Sequence, residues 1–210
     1  MKGYRISIHR HGQTLANEEG RYIGITDYPL SDKGRDELEN LSKNHSFERC
    51  ERIYSSPLLR AVQSCRILYP NSEITEVDGL KEMDFGVFEG LKAEEILHLD
   101  SYRQWLKGGL DNPPPNGESL RDMTERSYSA IDAVILDMMK HRIYNAAVMT
   151  HSGIMMNLLS CFGIPKLKPM EFACNPGEGQ EVYVTAMMWQ RDGIFEILGK
   201  IPKHKELSEQ

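Results

Sequence analysis

Two histidines and two arginines lie in segments that follow predicted β-strands. Arg10 and His11 follow the first strand, Arg60 comes shortly after the second, and His151 follows the fourth. In open α/β sheets, ligand sites lie beyond the carboxyl ends of the strands. We therefore expect these four side chains to meet at one edge of the sheet.

These residue types suit the binding and transfer of a phosphate group. The planar guanidinium of arginine matches phosphate oxygens better than the ammonium of lysine does, and Asn17 adds a neutral donor. A neutral imidazole can attack phosphorus and form a phosphohistidine that water later breaks. A second imidazole, if its anionic surroundings protonate it, stabilises charge on the phosphoryl oxygens. Such chemistry also needs a carboxylic acid that protonates the departing oxygen.

A metal site is the alternative interpretation of the segment His9-Arg10-His11. A catalytic zinc ion takes three protein ligands, and the chain offers no further cluster of His, Cys or Asp at a matching spacing. We therefore predict no metal, and we interpret His9 as a structural residue.

The elements that must position these residues alternate between strands and helices. This alternation predicts an α/β fold with a mostly parallel central sheet and helices on both faces. One helix is capped by Ser31 or Asp32 and reaches about residue 43. The predicted strands are Arg5–Ile8, Arg52–Ser55, Ile74–Val77 and Ala146–Thr150, and the other main helices are Leu58–Leu68, Glu118–Arg142 and Ser152–Phe162.

The pattern is less regular in the middle and at the end of the chain. Three prolines before Gly117 predict a rigid loop, because proline cannot sit inside a helix or a central strand. Near the end, strands at Glu181–Gln190 and Phe195–Gly199 are predicted to form a hairpin through an Asp-Gly turn. The segment 202–210 is predicted to be a loose polar tail of a single domain spanning 1–210. The pair Met155-Met156 is expected to fill the core.

Composition excludes several classes of protein. The net charge of −6 makes nucleic-acid binding unfavourable, because an acidic surface releases no counterions from nucleic acid. No apolar stretch reaches the roughly 18 residues of a membrane span, and no signal-type segment begins the chain. Four cysteines without paired spacing favour reduced thiols. We therefore expect a cytoplasmic protein whose partner is a small-molecule phosphate ester, and its oligomeric state stays open.

Six sequence blocks resemble, in the same order, those of the histidine phosphatase superfamily, which has the phosphoglycerate mutase-like fold. A lone Arg-His-Gly would be weak evidence, whereas six ordered blocks along most of the chain are specific. The blocks begin at Arg10 (RHGQTLAN), Gly24 (GITDYPLSDKG), Ser55 (SSPLLRAVQS), Leu80 (LKEMDFGVFEG), Pro115 (PNGES) and Val148 (VMTHSG).

The resemblance implies a role for each matching residue. His11 is implied to be the phosphorylated nucleophile, with Arg10, Arg60, His151 and Asn17 binding the phosphoryl group. Glu82 is implied to be the proton donor, although Asp84 and Glu89 are nearby carboxylates. Gly24 offers a backbone N–H near the substrate, and Ser152, which replaces a common glycine, either caps the next helix or touches phosphate. The resemblance also implies a small helical lid at about 80–142 and no cofactor.

Hydrolysis is the reaction that this resemblance favours. The superfamily's mutases carry an arginine and a tyrosine after the acid, whereas this chain has Met83, Asp84 and Phe85. Such residues do not grip a second phosphate, and Asp84 repels one. The compact lid, the Gln104-Trp105 pair and the proline-rich loop resemble α-ribazole phosphatases, so α-ribazole phosphate is one candidate substrate. Broad-specificity phosphatases of the same branch share these features. A phosphoglycerate mutase, a fructose-2,6-bisphosphatase and a non-catalytic phospholigand-binding protein stay as alternatives, and the segment 173–180 has no predicted role.

Overall fold

A computed structural model of the protein describes residues 3–204. The strands are β1 Tyr4–Arg10, β2 His45–Ser46, β3 Arg52–Ser55, β4 Ile74–Glu76, β5 Asn145–Thr150, β6 Gly163–Ile164, β7 Gly179–Val184, β8 Phe195–Ile201 and β9 Lys203–His204. The α-helices are α1 Leu15–Glu18, α2 Asp32–Asn44, α3 Leu59–Leu68, α4 Ala93–Ile96, α5 Asp100–Leu106, α6 Leu120–His141 and α7 Ser152–Phe162.

Seven strands form one mixed sheet in the order β4-β3-β5-β1-β7-β8-β6. The pairs β3–β4, β3–β5, β1–β5 and β6–β8 are parallel, and only β7 pairs antiparallel with its two neighbours, β1 and β8. The predicted fold class, a mostly parallel sheet within an α/β fold, is therefore confirmed. Strands β3, β5 and β1 are adjacent, so their carboxyl ends lie side by side at one edge.

Helices cover both faces of this sheet because the side chains of its strands alternate between two apolar clusters. On one face, Ala146 and Val148 of β5 pack in the cluster that contains α6 and α7. On the other face, Ala147 and Met149 pack in the cluster that contains α2 and α3. All four side chains are fully buried, as expected for a central strand covered on both sides.

Helices α2 and α6 begin at side-chain caps, whereas α3 and α7 have no side-chain cap. Ser31 Oγ accepts a hydrogen bond from the backbone N–H of Gly34 at 3.0 Å, so Ser31 rather than Asp32 caps α2. Ser119 caps α6 by accepting from the N–H of Asp122 at 3.1 Å. Arg142 ends α6 in the left-handed conformation, with φ of 58°.

The predicted lid is narrower than expected. Helix α6 packs against the sheet within the main apolar cluster, so it belongs to the body of the fold. A separate aromatic cluster lies under α4 and α5, and we call it the lid cluster. Its members are Tyr22, Phe85, Phe88, Tyr102 and Trp105.

Two predictions at the carboxyl end are wrong. The antiparallel hairpin exists, but its connection contains a π-helix at Met188–Asp192 where strand was predicted. The buried Trp189 anchors this helix, because its Nε1 donates to Asp132 at 2.7 Å. Lys203–His204, predicted to be loose, pairs with His45–Ser46 as a short strand. The rest of the predicted tail, residues 205–210, lies outside the described residues.

No helix in the described part of the chain combines the length and the apolar character that crossing a membrane requires.

Candidate active site

The four residues predicted to meet at the sheet edge do come together. His11 follows β1, and its backbone N–H donates to the carbonyl of Thr150, the last residue of β5, at 3.0 Å. This bond brings the end of β1 beside His151, while Arg60 enters from the first turn of α3. We call Arg10, His11, Arg60 and His151 the basic cluster.

His11 is held as a neutral imidazole with one free nitrogen. Its Nδ1 lies 2.5 Å from the carbonyl oxygen of Gly12, which can only accept, so Nδ1 carries the proton. The lone pair is therefore on Nε2. Burial, together with the nearby positive charge of Arg60, lowers the pKa of His11 to about 3. An unprotonated Nε2 is the form that a nucleophile requires.

His151 lies beside His11, with the two ring centroids 5.0 Å apart. Arg60 Nε donates to His151 Nδ1 at 3.3 Å, so the ring proton is on Nε2 and points to Ser56 Oγ at 2.8 Å. Burial and the neighbouring His11 and Arg60 hold the pKa of His151 well below its usual value. The surrounding protein therefore favours neutral His151, and an imidazolium at this position needs the charge of a bound anion.

Arg60 is fully buried and fixed by backbone carbonyls. Its Nη2 donates to the carbonyl of Gly24 at 2.5 Å, and its Nη1 donates to the carbonyl of Thr26 at 2.9 Å. Because each terminal nitrogen carries two protons, one N–H on each is left for a ligand. Gly24 thus acts on the site through its carbonyl, which positions Arg60, whereas the sequence suggested its N–H.

Arg10 is held by the segment 173–180, which had no predicted role. Its Nη1 donates to the carbonyl of Cys174 at 2.8 Å, and its backbone N–H donates to the carbonyl of Glu178 at 2.9 Å. The N–H of Gly177 returns a bond to the Arg10 carbonyl at 2.9 Å. Arg10 Nε is buried without a hydrogen-bond partner in the described residues. A phosphate oxygen would satisfy such a donor.

Glu82 is a buried carboxyl between the basic cluster and a neighbouring cavity. Its Oε2 accepts from the N–H of Gly153 at 2.9 Å, and its Oε1 accepts from the N–H of Met83 at 3.0 Å. Burial raises the pKa of Glu82 despite these two bonds and nearby arginines. A raised pKa keeps the proton that a general acid donates.

Gly153 has no side chain, and the carboxyl of Glu82 occupies the space that this leaves. The sequence did not indicate this requirement. A Cβ atom at position 153 would lie 2.5 Å from Glu82 Oε1, which is closer than real Cβ contacts. The glycine in the block VMTHSG therefore serves the carboxyl as well as the turn.

The two other carboxylates near Glu82 are used by the surrounding loops. Glu89 accepts hydrogen bonds from the N–H groups of Ile25, Thr26 and Phe85 and from Thr26 Oγ1, at 2.6 to 3.2 Å. Asp84 Oδ1 accepts from the N–H of Gly86 at 2.7 Å. Neither of these carboxylates lines the cavity next to Glu82, whereas Glu82 does.

Arg126 is a second positioning residue that sequence reasoning missed. Its Nη1 donates to the carbonyls of Gly79 and Lys81, both at 2.9 Å, and its Nη2 pairs with Glu118 Oε2 at 2.7 Å. It thereby fixes the backbone that leads into Glu82. The sequence signal that could have pointed to Arg126 was Glu118, the acidic residue of the PNGES block, because a half-buried carboxylate requires a cationic partner.

A cavity of about 520 Å³ opens beside Glu82, and we call it the side cavity. Asn17 lines it, and its Oδ1 accepts from the N–H and Oγ1 of Thr14, so the amide nitrogen is the group it offers to a ligand. Ser152 also lines it, but His151 is the N-cap of α7, so Ser152 does not cap that helix. The lining consists of Asn17, Arg21, Tyr22, Ile23, Glu82, Met83, Phe85, Leu120, Met123, Ser152, Gly153, Met156, Asn157 and Pro169.

His9 is a structural residue, as predicted. Its Nε2 lies 2.8 Å from Tyr69 Oη, and its Nδ1 lies 3.1 Å from the carbonyl oxygen of Gly177. Burial lowers the pKa of His9 to about 4. With both ring nitrogens engaged away from His11, the pair does not form a metal-binding unit. Across residues 3–204, no group of three or more His, Cys, Asp or Glu side chains is placed to hold a metal ion.

Comparison with known proteins finds a matching family model and similar sequences. A family model described as "Histidine phosphatase superfamily (branch 1)" matches residues 6–193. Phosphoserine phosphatase 1 of Hydrogenobacter thermophilus is 25% identical over 177 residues, which are 81% of this chain and 82% of that protein. An adenosylcobalamin/α-ribazole phosphatase of Salmonella typhimurium is 28% identical, over 74% of this chain and 78% of its own.

The fold recurs in solved structures. The crystal structure of a phosphoglycerate mutase from Bacillus anthracis superposes with a TM-score of 0.76 at 20% identity, covering 94% of this chain and 92% of its own. That likeness shows that the two chains share a fold, and the residues of each site decide the reaction.

Proposed function

The chain belongs to the histidine phosphatase superfamily, and on that premise we propose that it hydrolyses small phosphate monoesters through a phosphohistidine at His11. The single observation that carries this proposal is the neutral His11, whose free Nε2 lies within the basic cluster. The two guanidinium groups supply the charge that a phosphate dianion requires. No metal or organic cofactor enters the proposed reaction.

In the first step, His11 Nε2 attacks phosphorus as the bond to the ester oxygen breaks. Arg10, Arg60 and Asn17 hold the phosphoryl oxygens in place. A bound dianion raises the pKa of His151, and the added proton goes to Nδ1, which then no longer accepts from Arg60 Nε. The imidazolium then stabilises charge on the transferred group. The departing oxygen receives the proton of Glu82, which leaves the carboxyl ionised.

In the second step, the ionised Glu82 takes a proton from water as the water oxygen attacks phosphorus. The bond between phosphorus and Nε2 breaks, and its electron pair returns to His11. Inorganic phosphate leaves, and Glu82 is protonated again. Each turnover therefore consumes one ester and one water and regenerates both side chains.

The site favours hydrolysis over mutase chemistry. A mutase must hold a second phosphate beside the first, and Met83 and Phe85 line the side cavity where cations would be needed. Asp84 does not line that cavity, so the argument does not rest on repulsion by Asp84. It rests on the lack of an unpaired cation among the described lining residues, because Arg21 is already paired with Glu19. The same reasoning disfavours fructose 2,6-bisphosphate. A non-catalytic binding protein would not need an available His11 Nε2 or a buried carboxyl at Glu82.

Among specific substrates, we propose α-ribazole phosphate as the first to test. The support is the similarity to an α-ribazole phosphatase and the compact lid cluster that contains Trp105.

A trapping experiment tests the proposal. The protein is incubated with 4-nitrophenyl phosphate and quenched, and the phosphoenzyme is digested and mapped. We expect steady release of phosphate and an acid-labile, base-stable phosphate on the peptide containing His11. Incubation with 3-phosphoglycerate and 2,3-bisphosphoglycerate, followed by phosphorus NMR, tests the mutase alternative. Interconversion of phosphoglycerates faster than phosphate release would overturn hydrolysis as the main activity.

A further inference from the structure

We infer that the leaving group of the natural substrate is an apolar, ring-sized alcohol that carries neither a second phosphate nor a carboxylate. This inference rests on the proposed hydrolysis and concerns the side cavity, into which the departing alcohol extends from Glu82. Glu82 fixes that direction, since its proton must reach the ester oxygen.

The wall of the side cavity is predominantly apolar. The aromatic ring of Phe85 and the methionine side chains of Met83, Met123 and Met156 line it, together with Ile23 and Leu120. Apolar surface binds apolar surface because both are removed from water. Methionine side chains also adapt their shape to a ring and make favourable contacts with its edge.

Charge in the side cavity excludes anionic and zwitterionic alcohols. Of the described residues that line it, only Arg21 carries a positive charge and only Glu82 is acidic. Arg21 already donates to Glu19 Oε2 at 2.5 Å and to the carbonyl of Gly90 at 2.8 Å, and Glu95 lies 3.6 Å away. The other polar lining groups, which include Asn17, Ser152 and Asn157, are neutral. A second phosphate, or the ammonium and carboxylate of phosphoserine, would therefore be buried without an unpaired opposite charge among the described residues, which is costly.

The lid cluster holds the aromatic part of this wall in place. The ring centroids of Phe85 and Trp105 lie 5.9 Å apart, and those of Phe85 and Tyr22 lie 5.2 Å apart. Tyr22 Oη in turn lies 2.7 Å from Tyr102 Oη. Because this wall is already ordered, ligand binding loses less free energy to the ordering of side chains.

Three alkyl phosphates of similar leaving-group reactivity test the inference. The probes are 2-naphthylmethyl phosphate, glycerol 3-phosphate and phosphoserine, and kcat/KM is measured by phosphate release. We expect kcat/KM for the naphthylmethyl ester to exceed both others by about 100-fold, which is about 2.8 kcal/mol at 1.4 kcal/mol per tenfold. Equal values, or a preference for phosphoserine, would overturn the inference while leaving the hydrolase proposal intact.

A matched pair of variants locates the effect. Met156→Gln places an amide in the side cavity, and Met187→Gln makes the same change at a half-exposed site outside it. We expect Met156→Gln to lower kcat/KM for the naphthylmethyl ester about tenfold and to change that for glycerol 3-phosphate less than twofold. Met187→Gln should change neither. A parallel loss with both esters in Met156→Gln would show that the side cavity does not hold the alcohol.

A binding measurement separates failure of this inference from failure of the hydrolase proposal. The Kd of 2-naphthylmethylphosphonate, which cannot be hydrolysed, is compared with the Kd of methylphosphonate by calorimetry. We expect the naphthyl compound to bind at least about 30-fold more tightly, whether or not the protein turns over any ester. Equal affinities would reject the apolar cavity as a binding site, and absent turnover with unequal affinities would reject only the hydrolase proposal.

Discussion

The basic cluster and the side cavity are neighbours built in opposite ways. In the basic cluster, His11, Arg60 and His151 are buried and held by hydrogen bonds. The His11 and Arg60 side chains bond to backbone carbonyls, and the His151 ring bonds to the side chains of Arg60 and Ser56. The side cavity is lined mainly by apolar side chains from the lid, α6 and α7, which make few polar contacts. Glu82 lies between the two, because it accepts from the N–H of Gly153, two residues after His151, and also lines the side cavity.

This contrast separates the chemistry of the protein from its choice of substrate. Positions in the basic cluster are fixed by hydrogen bonds whose geometry tolerates little change, so a substitution there affects every phosphate ester. Contacts in the side cavity are apolar and adaptable, and they concern only the alcohol. Relatives that share the cluster are thus free to differ in substrate, which is why family membership alone does not name one.

Replacing the nucleophile is expected to have the largest effect and to spare no substrate. In His11→Ala no nitrogen is available to bond to phosphorus, so kcat/KM should fall by roughly 10⁴-fold or more with aryl and alkyl esters alike. The exposed His98→Ala serves as a matched control and should retain full activity. Circular dichroism checks that both variants fold. Selective loss with one class of ester would show that His11 does not act at phosphorus.

Replacing Glu82 is expected to distinguish substrates by their leaving groups. In Glu82→Gln, kcat/KM for an alkyl ester should fall about 10²- to 10³-fold, whereas 4-nitrophenyl phosphate should lose less than tenfold, because its leaving group needs little protonation. Asp84→Asn is the matched control and should change both values less than threefold. If Asp84→Asn instead shows the leaving-group dependence, Asp84 is the acid.

The pH dependence of kcat/KM for the alkyl ester also tests the assignment of Glu82 as the proton donor. The proton donor works only while protonated, so kcat/KM falls as pH rises through the pKa of Glu82. Because burial raises that pKa, activity should persist to a higher pH than an ordinary glutamic acid allows. The fall should be absent from the residual activity of Glu82→Gln. If Glu82→Gln shows the same fall in kcat/KM at high pH, another group causes that fall.

The basic cluster was predictable from sequence, whereas the side cavity was not. Arg10, His11 and His151 stand next to strand ends within compact motifs, so their meeting point follows from the topology of a parallel sheet. Met156 carries no such signal. It was expected to fill the core beside Met155, and only Met155 is fully buried, whereas Met156 lines the side cavity. Helical spacing shows that a side chain faces inward, but not whether a core or a cavity lies there.

The errors in the predicted fold also arise from tertiary contacts that local sequence patterns do not show. Residues up to Gln190 were predicted as strand because their apolar content continues beyond Val184. Tertiary packing of Trp189 and its bond to Asp132 instead stabilise a π-helix there. Likewise, Arg126 was not identified as a site residue, because its bonds to the carbonyls of Gly79 and Lys81 exist only in the folded chain. Contacts between distant segments thus determine what local patterns leave open.

The two tryptophans allow a direct comparison of the lid cluster with the main core. Trp105→Ala should loosen the wall of the side cavity and raise KM for 2-naphthylmethyl phosphate about tenfold, with little change in the inhibition constant of inorganic phosphate. Trp189→Ala removes a buried side chain from the main core and should lower the free energy of unfolding by about 3–5 kcal/mol. Urea denaturation and steady-state kinetics measure the two effects. Equal KM changes in both variants would show that the lid cluster has no separate role.

Ser152 lies where the basic cluster and the side cavity meet, and its replacement should have the smallest effect. It follows His151 directly and lines the side cavity, so its hydroxyl is placed to donate one neutral hydrogen bond to the substrate. Such a bond contributes about 0.5–1.5 kcal/mol, so Ser152→Ala should raise KM about two- to tenfold and leave kcat nearly unchanged. Inhibition by inorganic phosphate shows which end of the site is affected. If inorganic phosphate inhibits the variant more weakly, the Ser152 hydroxyl contacts the phosphoryl group. If that inhibition is unchanged but KM is raised, the hydroxyl contacts the alcohol. If neither changes, Ser152 is not a binding residue.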